Sequence, residues 1–123
     1  GEWATDVKKT GVTEIAKRFK DKFGVDMNGH AAETYMSTYV LKDALERAGS
    51  TNRKKLRDAL AETKICGEKN ILPYDCIRFE ESGQSPEEQL IIMQIIDGKH
   101  KTVWPFDSAS AELQWPVPSW SSR

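Results

Sequence analysis

Apolar residues recur at helical spacing through the first half of the chain and gather into short continuous runs in the second half. Val12, Ile15, Ala16, Phe19 and Phe23 fall on one helical face, with Glu14 in the first turn and Gly24 as a stop. This predicts an amphipathic helix. After the connector Val25-Asp26-Met27-Asn28-Gly29-His30, a second pattern runs from Ala31 to Ala48 with Leu41, Ala44, Leu45 and Ala48 at helical offsets, and Gly49 ends it. Tyr35, Met36 and Tyr39 widen its apolar face, which predicts substantial burial. Ser50 or Thr51 is placed to cap a third helix, in which Leu56, Ala59 and Leu60 make a narrow stripe opposite Arg53, Lys54, Lys55 and Arg57. That helix belongs on the surface.

From Cys66 onward the composition shifts to Gly, Asn, Pro and Asp and then to β-prone runs. Cys76 to Phe79 reads as a strand, and Glu80 to Pro86 has turn chemistry. The run Leu90 to Ile96 is too continuously apolar for a strand with one wet face, so cover on both faces is expected. Asp97-Gly98 is a hairpin signal joining it to Lys101-Thr102-Val103-Trp104. The tail, Trp115 to Trp120, is expected to be extended, because each proline drives the preceding residue out of the helical region. Two apolar-faced helices and a doubly covered hairpin need a sheet to lie on, yet only about three short strands are legible. Part of the fold is therefore expected outside this chain.

The chain has 123 residues, about one small domain, and is 38% hydrophobic, 30% charged and 9% aromatic, which points to a globular chain. Eighteen Lys and Arg balance 19 Asp and Glu, leaving no charge excess for nucleic acid or an anionic membrane. The run Leu90 to Ile96 is far short of the roughly 20 residues that cross a bilayer. Gly1 to Asp6 shows neither the basic region nor the apolar core of a signal peptide.

Candidate chemistry is sparse. Cys66 and Cys76 flank a Gly- and Pro-containing stretch and either close a short loop, in an oxidising compartment, or remain two thiols; the sequence leaves both open. His30 and His100 have no metal-ligand spacing to these cysteines, so no metal and no catalytic residue is expected. Lys22, Gly24 and Gly29 do not form a phosphate-cradling loop. Glu80, Glu81, Glu87 and Glu88 surround a turn and read as a solvated loop, and Arg53 to Arg57 as the wet face of a helix.

Four stretches in order carry a resemblance. They are the helix Tyr35 to Leu45 running into Glu46-Arg47-Ala48-Gly49-Ser50-Thr51, the turn Phe79-Glu80-Glu81-Ser82-Gly83-Gln84, the strand, Asp-Gly-Lys turn and Val-Trp-Pro of Ile91 to Pro105, and the closing Pro116 to Trp120. Together they resemble the last part of the type I periplasmic binding proteins, the group of the leucine/isoleucine/valine receptors. The resemblance implies an α/β fragment: about three helices, a strand and a C-terminal β-hairpin. It further implies that residues 1–81 form part of one lobe with a hinge, that 82–88 cross over, and that 89–123 form a terminal hairpin and tail on the other lobe. Met36 stands where such sequences commonly have Asp, and Glu80 replaces the first Asp of the turn.

The implied function is solute binding without catalysis or cofactor. The intact protein would be the periplasmic receptor of an ABC importer, holding an amino acid or similar small solute between two lobes and docking on a permease. Most of the pocket would lie upstream of this chain. Asn28, His30 and Tyr35 are placed at the cleft edge, where His30 also reads as an ordinary helix-start histidine and Tyr35 as core or hinge packing. A ligand sensor of the same fold is one alternative. Another is a self-associating module in which bare strand edges make a dimer or a swapped oligomer.

Overall fold

A computed structural model describes residues 3–86 and 90–122. Its elements are α1 (Val12–Phe23), α2 (Gly29–Ala48), α3 (Arg53–Ala61), β1 (Lys64–Cys66), β2 (Cys76–Arg78), β3 (Ile92–Ile96) and β4 (Lys99–Trp104), with short 3-10 turns at Gly67–Lys69 and Trp120–Ser122. This is the expected α/β order, with one strand more than the sequence showed.

The helices end where the glycines predict. The amides of Gly24 and Gly49 return to the carbonyls of Lys20 and Leu45, closing α1 and α2. Their starts differ from expectation by a few residues. Asn28 caps α2, its Oδ1 accepting from the Ala31 amide at 2.9 Å, so His30 lies inside the first turn. Asn52, not Ser50 or Thr51, caps α3 by accepting from the amides of Lys54 and Lys55. An amide side chain satisfies two of the helix's orphan donors at once, whereas Ser50 is spent on the Asn52 amide.

One core joins Trp3, Val12, Ala16, Met27, Ala32, Met36, Val40, Ile65, Ile71, Leu72 and Ile77. Only the stripe Ala32, Met36, Val40 and Ala44 of α2 is buried, so its wide apolar face is half covered, and Tyr39 and Leu41 are exposed. Arg47 locks α2 onto the next elements: Nη1 donates to the Ala59 carbonyl at 2.7 Å and Nη2 to Thr63 Oγ1 at 3.3 Å.

The strands make two separate antiparallel pairs, β1 with β2 and β3 with β4. The first pair sets Cys66 opposite Cys76, and the two are joined by a disulfide, which resolves the alternatives left by the sequence. Lys64-Ile65-Cys66 gives too short a run to announce itself as a strand. In the second pair Asp97 and Gly98 both take positive φ, 50° and 70°, the backbone a two-residue hairpin needs and the reason for glycine there.

The expectation that Leu90 to Ile96 is covered on both faces is not met. Ile91 is buried, but Leu90, Ile92 and Ile95 are exposed, Ile95 at 71%. A two-stranded ribbon has no neighbouring strand or helix layer to hide its second face, and among the described residues none is supplied. The tail, expected to be extended, finishes in the 3-10 turn at Trp120–Ser122. Where a crossing at 82–88 is expected, the structure shows the turn Glu80–Gln84, closed by the Glu80 amide to the Gln84 carbonyl at 2.9 Å; Glu87 and Glu88 lie outside the described residues.

Candidate functional site

The three residues expected at a cleft edge fall at the start of α2, but only two share a surface. Asn28 is an exposed cap whose Oδ1 is occupied by the helix. His30 is 87% exposed at the side chain and stands 3.7 Å from Glu33. His30 and Tyr35 line one open groove of about 430 Å³, with Phe19, Phe23, Met27 and Thr38 forming much of its wall. This places an aromatic, largely apolar surface at the junction of α1 and α2.

Tyr35 is the pivot of this region. Its ring lies 4.8 Å from that of Tyr39. Burial first, then the hydrogen bond and the nearby phenol of Tyr39, push its hydroxyl up to about 12, so it is a neutral hydrogen-bonding group at any physiological pH. On its other side a second groove of about 410 Å³ is floored by Ile15, Ile65 and Ile71 and rimmed by Lys42, Asp43 and Glu68. Its floor is apolar and its rim carries both charge signs. Among the described residues no group of three His, Cys, Asp or Glu stands ready for a metal ion.

A second constellation has no signal in the local sequence. The carboxylate of Asp6 accepts from the Thr102 amide at 2.9 Å, from Thr102 Oγ1 at 2.8 Å and from Ser110 Oγ. Partial burial opposes ionisation, but the hydrogen bonds of Ser110 and Thr102 outweigh it and hold the Asp6 pKa below its ordinary 3.8. Across the same segment Lys9 Nζ donates to the carbonyls of Leu72 and Tyr74, the latter at 2.8 Å. Burial lowers the Lys9 pKa, partly opposed by Asp75. Both partners lie more than 60 positions away in sequence, beyond the reach of periodicity or motif spacing.

The lowered Asp6 value sets the sign of a pH effect. A carboxylate with a depressed folded pKa stabilises fully above its unfolded pKa, and the gain is lost as pH falls through the folded value. The difference in melting temperature between the wild type and Asp6→Asn is therefore expected to be constant above about pH 4 and to shrink below it. A difference that stays flat down to about pH 2.5 by circular dichroism would show that the carboxylate's charge is not what Thr102 and Ser110 read.

A family model described as periplasmic binding protein matches residues 1–100. The Leu/Ile/Val-binding protein homolog 7 of Brucella melitensis is 28% identical over 107 residues, covering 86% of this chain and 27% of that protein. Its counterpart in Brucella suis is 27% identical over the same length. The chain thus spans about a quarter of the length of these curated relatives. The crystal structure of a leucine binding protein, LivK, from Thermotoga maritima superposes with a TM-score of 0.65 and 23% identity, covering 83% of this chain and 28% of that one, a likeness of fold.

Proposed function

The chain belongs to the periplasmic binding protein family, and we propose that it is the C-terminal part of a two-lobed receptor that closes around a branched-chain amino acid or a similar small solute. The observation that carries this reading is the family match over residues 1–100 in a chain whose matched part spans about a quarter of its relatives' length. Exposed apolar side chains in the second half support it: Ile92, Ile95, Phe106 and Trp115 are 55–79% exposed, and the remainder of a longer protein would cover them. In that protein the helical part, up to residue 81, belongs to one lobe, residues 82–88 cross, and the β3–β4 hairpin with the tail lies against the other.

Such a receptor acts by differential affinity. The solute contacts both lobes only when they close, so binding shifts the population toward the closed form, which an ABC permease then recognises outside the cytoplasm. No bond is made or broken, and no cofactor is needed. Within this chain the groove shared by His30 and Tyr35 is the part of the surface assigned to the cleft edge. Most contacts to the solute come from elsewhere in the longer protein.

Isothermal titration calorimetry tests the reading. The longer protein is expected to bind leucine, isoleucine or valine, while this chain alone binds them weakly or not at all. Submillimolar affinity in the isolated chain would overturn the assignment of the pocket to the remainder, and a longer protein indifferent to every amino acid in a panel would overturn the solute class.

A further inference from the structure

The buried cluster of the helical part includes no residue of β3 or β4. The segment from Trp3 to Lys9 is gripped by both the helical part and the hairpin side. On the helical side Trp3 Nε1 donates to the Ile71 carbonyl at 2.9 Å, and Lys9 Nζ to the carbonyls of Leu72 and Tyr74, all on the loop closed by the disulfide. On the hairpin side the Lys8 amide donates to the Ser108 carbonyl at 3.1 Å, and Asp6 accepts from Thr102 and Ser110. Val7 lies between these grips, buried at 3% exposure.

We propose that Asp6 is a hinge latch: its grip on Thr102 and Ser110 sets the angle between the helical part and the hairpin, and with it the balance between open and closed receptor. The proposal rests on the two-lobed reading above. Three features favour a latch over an ordinary surface contact. The donors converge on one carboxylate, so they are made or lost together, and charge-assisted hydrogen bonds are about twice as strong as neutral ones. Thr102 is itself fully buried, and its carbonyl accepts from the amides of Ser110 and Ala111, so β4 and the following loop move with the latch as one piece. On the other side, Trp3 and Lys9 hold the strap to a loop that cannot unwind while Cys66 and Cys76 are joined. A change of angle between the two parts therefore works against the grip of Asp6 together with that of the Lys8 amide.

Spin labels at Lys55 on α3 and Lys99 on β4, both exposed, report that angle, and the paired native cysteines do not compete for the label. In this chain Asp6→Asn is expected to broaden or displace the inter-label distance distribution measured by double electron–electron resonance, while the helical circular dichroism is unchanged. Ser110→Ala, which removes a single donor, gives a smaller shift in the same direction and serves if Asp6→Asn fails to fold. In the longer protein both variants are expected to change the dissociation constant for the amino acid about three- to tenfold without touching the pocket. Unchanged distances in both variants overturn the latch. Changed distances with an unchanged constant show a local brace with no part in closure, which also overturns it. If the wild-type longer protein binds no amino acid, the solute reading fails, and the distances alone still judge the latch.

Discussion

Truncating Met36 to alanine is expected to cost about 2–5 kcal/mol, a drop in melting temperature on the order of 10 °C or more for a chain of this size. Met36 is 1% exposed and is one of the largest fully buried side chains of the molecule. It belongs to the cluster in which Val12 of α1, Val40 of α2, Ile65 of β1 and Ile77 of β2 also lie, so the void left by alanine sits where several elements meet and none is free to collapse alone. Met36→Leu, which keeps the volume, is expected to cost less than about 1.5 kcal/mol. Met36→Asp carries a carboxylate into the same apolar cluster and is expected to exceed the alanine loss. Thermal melts of the three variants decide it: equal, small losses for alanine and leucine would mean that α2 does not pack as described.

Removing the disulfide is expected to cost about 3 kcal/mol, from the chain entropy of a ten-residue closure. The bond spans a separation of 10 residues and ties the facing ends of β1 and β2. Its loop carries more than the bond. Asn70, Ile71 and Leu72 are buried, and Asn70 holds the loop from within, Nδ2 donating to the Tyr74 carbonyl at 2.6 Å and Oδ1 accepting from the Leu72 amide at 2.9 Å. The same loop supplies the carbonyls that receive Trp3 and Lys9. Cys66→Ser with Cys76→Ser is therefore expected to raise amide exchange in Asn70 and Leu72 first, and to unseat the strap at Trp3, whose fluorescence moves toward that of a wetter indole. A double variant that melts within about 2 °C of the wild type would show that the hydrogen bonds alone define the loop.

Several of these features were legible in the chain. Glu14, the apolar spacing from Val12 to Phe23, and Gly24 and Gly49 marked α1 and the ends of α1 and α2, because a helix is a matter of neighbours three and four residues apart. Asp97-Gly98 marked the hairpin because its backbone demand is met within two residues. The helix starts were read less well, since Ser50, Thr51 and Asn52 are all able to cap and only the path of the entering chain selects Asn52. The candidate site was legible only in part: His30 and Tyr35 meet at one groove, while the side chain of Asn28 is used by its own helix.

By itself, then, the sequence determined the three helices, β2, the hairpin and its turn, their order and the family likeness, all of which rest on local periodicity, turn chemistry and ordered motifs, but not β1. Tertiary structure alone decided that Cys66 faces Cys76, that Tyr39 stays exposed, that Ile92 and Ile95 stay uncovered, and that Asp6 reaches Thr102 and Ser110. These depend on which distant residues are brought face to face. A pair separated by 96 positions leaves no trace in the spacing of either partner's neighbours.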